Sequence, residues 1–143
     1  MSKQKSLTAI TALVLLLCIA GLAWLHQPYN QAPARQVAEQ FHALLKAGQF
    51  EQAFALTAQH GLTGNTVMDL KTIAGRHCLD ANEFKYTFPA QTNGNRLRRQ
   101  LAGRAVEMEQ VSVEFEGPCL LEIRLRQADN GAWLVVYFAS HAG

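Results

Sequence analysis

Charge is missing from a long stretch near the start of this chain. Between Lys5 and Arg35 there is no Lys, Arg, Asp or Glu. That gap excludes an ordinary surface helix there, which would carry a polar face. Within it Leu7 to Leu25 form an apolar run, preceded by Lys3 and Lys5. At about 1.5 Å per helical residue the run would rise roughly 28 Å, close to the hydrocarbon thickness of a bilayer. The sequence therefore predicts a transmembrane helix over 7–25, a tail over 1–6 and a linker over 26–32. Basic residues beside a span stay in the cytoplasm, so residues 33–143 are expected as an exported domain. The expected location is the inner membrane, single-pass, with the C-terminal domain in the periplasm or outside. A cleaved signal peptide is the alternative, with Gly21-Leu22-Ala23 as a passable small-x-small site. The run is longer than the usual signal core of roughly 7–15 residues, which favours a retained anchor. Cys18 follows Leu15-Leu16-Leu17, whereas a lipoprotein cysteine wants small residues before it.

Other absences narrow the chemistry. Of the 13 Lys/Arg, Lys3 and Lys5 account for the whole net charge of +2, leaving eleven against 11 Asp/Glu. A neutral domain lacks the basic face that nucleic acid needs and argues against strong adhesion to anionic lipid. Serine-nucleophile elbows, P-loops and glycine-rich dinucleotide loops are absent. The histidines, His26, His42, His60, His77 and His141, form no HxH or HxxxH pair, and His77-Cys78 alone does not make a zinc site. No metal and no cofactor is expected. His42 reads as a boundary residue, and His60 as a C-terminal helix residue favourable to the dipole. Asp69 and Asp80 read as solvated carboxylates before they read as catalytic acids.

With so few cysteines, each one is informative. Cys18 lies in the apolar run. Cys78 and Cys119 form one pair in an exported domain, and an oxidising compartment favours their disulfide. The topology agrees: in an antiparallel meander the turn at Gly117-Pro118 brings Cys119 beside the segment preceding Glu83.

What is present reads as three helices and then four strands. Pro33 suits a first helical turn; Val37, Phe41, Leu44 and Leu45 follow at helical spacing, and Gly48 sits at the C-terminal cap. A second helix is predicted from Phe50 to His60 and a third from Asn65 to Gly75. Phe84, Tyr86 and Phe88 then alternate as a strand. Pro89 to Gly103 is irregular and basic. A strand over Arg104–Glu116 needs one extra residue near Glu109-Gln110, a β-bulge, to keep one buried face. Cys119 to Arg126 and Ala132 to Ser140 are the last two strands, joined at Asp129-Asn130-Gly131. The fold class is α+β, with three helices packed on a bent four-stranded antiparallel sheet behind the N-terminal transmembrane helix.

The run Phe41-His42-Ala43-Leu44-Leu45-Lys46-Ala47-Gly48-Gln49-Phe50-Glu51-Gln52-Ala53 and the closing Asn130-Gly131-Ala132-Trp133-Leu134-Val135-Val136 resemble the cystatin-like superfamily, in its nuclear-transport-factor-2-like branch. The resemblance covers about residues 33–140. It implies a cone-shaped fold shared by enzymes, ligand carriers and non-catalytic subunits. The His and Asp that enzymatic members place in the pocket have no assignable counterpart here.

Two surfaces stand out. Arg96, Arg98, Arg99 and Arg104 are the densest charge group; they read as a solvated loop balanced by Glu107, Glu109, Glu114 and Glu116, or as a binder of an acidic partner. In the last hairpin an even-numbered loop would set Leu121, Ile123 and Leu125 with Leu134, Val136 and Phe138 on the core face. Arg124, Arg126, Trp133, Val135 and Tyr137 would share the other face with Glu122, a composition enriched in protein interfaces. The expected function is a non-enzymatic, membrane-anchored domain that binds a protein partner or itself through that face. The alternative is a small apolar-ligand binder using the hollow between helices and sheet; an enzyme of the same fold comes last. A binding module would have that hollow filled by Phe41, Phe54, Phe84 and Phe115.

Overall fold

The computed structural model describes residues 2–29, 31–106 and 108–141, with side chains described from residue 10 onward. The chain divides into two compact units, residues 1–29 with 90–107, and residues 30–89 with 108–143. The side chains of the expected tail over 1–6, with Lys3 and Lys5, and Glu107 among the balancing acids, lie outside the described residues.

In the first unit, helix α1 (Ser2–His26) forms where the apolar run predicts it. Its reading as a transmembrane helix is corrected: among the described residues no helix is long and apolar enough to cross a membrane. The helix therefore does not supply the span that the run over 7–25 led the sequence to predict. Its last turn is also engaged by protein. The Asn93 side-chain amide donates to the Trp24 carbonyl at 3.1 Å. A Cβ on Gly94 would stand 3.0 Å from the Leu25 carbonyl, so any larger residue would press the two backbones apart by a few tenths of an ångström.

The basic segment expected as irregular contains helix α5 (Asn93–Leu101), numbered last among the helices of the chain. Thr92 caps it, accepting from the Asn95 N–H at 3.2 Å. Asn93-Gly94 therefore opens a helix here instead of making a hairpin turn.

In the second unit, α2 (Ala32–Lys46), α3 (Phe50–Ala55) and α4 (Val67–Ala74) precede and pack beside a sheet of β1 (Glu83–Phe88), β2 (Gln110–Glu116), β3 (Leu120–Gln127) and β4 (Trp133–His141). The sheet order is β1-β2-β3-β4, all neighbours antiparallel. The α+β class and the four-stranded meander are as the sequence indicates. Gly48, with φ +72°, follows α2 and lets the Gln49 N–H reach the Leu44 carbonyl. Helix α3 stops five residues short of His60 because Thr57 leaves it for β4: the Val135 N–H donates to the Leu56 carbonyl and the Ala58 N–H to the Val135 carbonyl, both at 2.9 Å. His60 is consequently an exposed residue ahead of a short 3-10 turn at Gly61–Thr63, not a helix C-terminal one.

The core lies between α2 and the inner face of the sheet. Phe41, Leu70, Leu121, Ile123, Leu125, Val111, Val113 and Phe138 are fully buried, and the Phe41 and Phe138 rings meet edge to face at 5.3 Å. Phe41 and Phe115 fill the expected hollow, with Phe54 and Phe84 packed against them. Cys78 and Cys119 form a disulfide that closes 41 residues and ties the segment before β1 to the start of β3. In the chain-entropy model a loop of this size stabilises by about 4 kcal/mol.

Candidate functional site

The outer face of the sheet is set by parity, and parity changes three times. In β1, Lys85 is an extra residue between the pairs Phe84↔Phe115 and Tyr86↔Glu114. Phe84 therefore turns to the core, while Tyr86 and Phe88 turn outward; Phe88 is 62% exposed. The bulge expected near Glu109-Gln110 is not needed, because β2 begins at Gln110, beyond Val106 and Met108.

The β3–β4 hairpin holds the other two changes. Gln127 pairs with Trp133, which leaves an odd loop, closed by Gly131 at φ +84°. An odd loop puts Trp133 on the inner side, packed against the core. Val136 is then extra between Leu125↔Val135 and Arg124↔Tyr137. This second slip restores the expected faces for Tyr137 and Phe138. Of the five residues expected on one face, Arg124, Arg126 and Tyr137 are together there. Val135 is at 0% exposure in the core, and Trp133 does not join the outer group. Leu134 and Val136 replace them outside, both half-buried. The physical cause is the pairing of Val135 with Leu56–Ala58, a contact no hairpin rule contains.

The centre of the outer face is polar and internally satisfied. Glu122 accepts from the Ser112 hydroxyl at 2.8 Å and from Arg124 at 3.0 Å. Burial works to raise the Glu122 pKa, but those two hydrogen bonds and the Arg124 charge outweigh it and hold the carboxyl below its ordinary value. The Arg124 guanidinium also lies over the Tyr137 ring at 4.9 Å. On β1 and β2, Glu114 receives the Tyr86 hydroxyl at 2.9 Å and Lys85 at 3.1 Å. The hydrogen bond to Glu114 raises the pKa of both donors. Beside Leu134 and Val136 opens a depression of about 500 Å³, rimmed by Arg126, Glu109 and His60. Apolar groups thus flank a polar centre on both sides, Tyr86 and Phe88 on one and Leu134, Val136 and Tyr137 on the other.

A second concavity, about 390 Å³, lies along α2 with Phe84 and Phe115 as its floor. Arg35 stacks on Phe84 at 3.7 Å and pairs with Glu39 at 2.7 Å. His42 is buried, not a boundary residue, and its Nε2–H donates to the Leu79 carbonyl at 2.7 Å. Burial lowers its pKa more than that bond raises it, so the ring is neutral at pH 7. Asp69 is occupied as the return half of a capping box with Thr66. Among the described residues no group of three His, Cys, Asp or Glu side chains converges as a metal site would require.

Sequence parity missed Tyr86, Phe88, Leu134 and Val136 as outer residues. No local signal announces the extra residues Lys85 and Val136. Compared with protein-family models, curated proteins and solved structures, the chain matches none.

Proposed function

We propose that the outer sheet face is a protein-binding surface and that its occupant is a second protein chain, a copy of this one being favoured. The observation that carries this reading is the exposed Phe88 and Tyr86 across the sheet from Leu134, Val136 and Tyr137, around a satisfied polar centre. Aromatic side chains and arginines at the edge of apolar groups are the usual composition of interface anchors. The charges of the face balance, with Lys85, Arg124 and Arg126 against Glu114, Glu116 and Glu122, so two copies in opposed orientation can match sign to sign. The Cys78–Cys119 disulfide supports an oxidising compartment, the periplasm or the exterior, as the place of work. The nuclear-transport-factor-2-like reading of the fold rests on helices followed by a four-stranded meander. The ligand-carrier reading is weaker because Phe41, Phe115 and Phe138 occupy the space between α2 and the sheet.

A photo-cross-linking residue at Phe88 in the intact chain tests the proposal. The expected product is a covalent dimer of this chain, formed from Phe88 and not from exposed Leu62 of the same unit. Equal products from both positions, or none from either, would overturn it.

A further inference from the structure

The neutrality of the chain beyond Lys5 conceals a segregation. Residues 90–107 carry Arg96, Arg98, Arg99 and Arg104 against one acid, Glu107, and they group with α1. Helix α5 buries none of its residues. Leu97 and Leu101, four positions apart and so on one helix face, are both exposed, Leu101 to 80%. Arg98 and Arg104 are exposed as well. A polar helix in water has no reason to show two leucines on one face beside exposed arginines.

The start of α5 is fastened to the end of α1. Pro28 bridges Thr92, the Tyr29 N–H donates to the Gln91 carbonyl at 2.6 Å, and the Asn93 N–H to the Gln27 carbonyl at 3.1 Å. The Arg96 guanidinium lies over the Tyr29 ring at 3.8 Å. Along α1, Leu13, Val14, Leu15, Leu16 and Leu17 are five successive exposed apolar residues. At roughly 100° per residue five positions pass all the way round a helix. A protein groove covers one side of a helix; fluid acyl chains cover every side. The apolar body ends at Trp24 and Tyr29, the aromatic types enriched where hydrocarbon meets headgroups.

We propose that α5 and the adjoining end of α1 bind an anionic lipid surface, with Arg98 and Arg104 at the headgroup phosphates and Leu97 and Leu101 at the acyl boundary. This contact is separate from the outer sheet face and stands or falls independently of it. Exposed leucines distinguish the surface from a nucleic-acid site, where basic residues would be interleaved with aromatics or polar groups.

The test uses the full chain with Cys18→Ser and a polarity-sensitive fluorophore at Leu101→Cys or, as control, at Leu62→Cys in the other unit. Vesicles are phosphatidylcholine alone or phosphatidylcholine with a minority of anionic phosphatidylglycerol. On the mixed vesicles the Leu101 label is expected to shift to the blue and to be quenched by brominated acyl chains, while the Leu62 label stays in water. Arg98→Gln with Arg104→Gln should weaken partition onto the mixed vesicles roughly thirty-fold, from about 1 kcal/mol per basic residue near an anionic surface, and leave partition onto phosphatidylcholine unchanged. A Leu101 label that stays in water on vesicle-bound protein overturns the proposal, as does a failure to bind. A blue shift that grows with protein concentration in the absence of vesicles also overturns it, and assigns the surface to a second copy.

Discussion

In the unit of residues 30–89 and 108–143, Phe41, Leu121, Ile123 and Phe138 are fully buried. In the unit of residues 1–29 and 90–107, Leu13 to Leu17 and Leu101 face outward. The difference is one of pattern, not of composition. In the first, apolar residues recur with periods of 3.6 and 2, so helix and strand faces close on each other. In the unit of residues 1–29 and 90–107, α1 is apolar all round over Leu13 to Leu17 and shows no polar side there. The unit of residues 30–89 and 108–143 also carries its own covalent tie, whereas the cysteine of the other unit, Cys18, is free and exposed.

Disrupting the closed unit gives the largest expected effect. Phe41→Ala removes a fully buried ring against Phe138 and should cost about 3–5 kcal/mol in urea unfolding. The helical far-ultraviolet signal of α1 should persist after the sheet signal is lost; simultaneous loss of both would break the comparison. Next comes Cys78→Ser with Cys119→Ser, with an upper expectation of about 4 kcal/mol and less where strain offsets the loop term. Reduction of the native chain should reproduce it, and an unchanged urea midpoint under reductant would contradict it. Gly64→Ala is expected to cost about 1–3 kcal/mol, because φ is +88° and the added carbon would meet the Asp69 Cβ at 2.5 Å. Its readout is the same urea midpoint.

Acid should weaken the closed unit more gently. The Ser140 N–H donates to His77 Nδ1 at 3.2 Å, and the Cys78 N–H to the Ser140 hydroxyl at 2.8 Å, so His77 holds the outer edge of β4 only while neutral. Burial lowers the His77 pKa below 6.5, with help from His141 and Arg76, and burial lowers that of His42 too. The unfolded state therefore binds more protons than the native state below pH 6.5. Stability is fully present above that pH and falls as pH drops towards the lower native values. Urea midpoints should decline between pH 7.5 and 5.5, and His77→Gln with His42→Gln should flatten the slope. A flat wild-type profile would contradict it.

How much of this was legible in the sequence depended on where local rules operate alone. The four strands, Gly48 after α2, the core position of Phe41 and the Cys78–Cys119 pair follow from periodicity, capping and compartment. The orientation of the outer face did not, because Lys85 and Val136 are extra residues that alternation alone does not announce; at β4, Val135 is paired with Leu56–Ala58. The early end of α3 has the same cause. Helix α5 was hidden because its composition is polar and opens with Asn93-Gly94, and only contact with α1 accounts for the glycine. The transmembrane reading of 7–25 followed run length alone and took no account of the last turn held by Asn93.

The smallest expected effect on stability accompanies the largest on association. Phe88→Ser with Tyr137→Ser alters side chains on the outer face, where substitutions usually stay within about 0.5 kcal/mol each. Sedimentation of the intact chain in mild detergent, with and without this double change, tests the central claim most directly. The account predicts a concentration-dependent dimer for the native chain and a monomer for the variant, with melting temperatures that agree. A variant that dimerises as the native chain does, or a native chain that stays monomeric at every concentration, would contradict it.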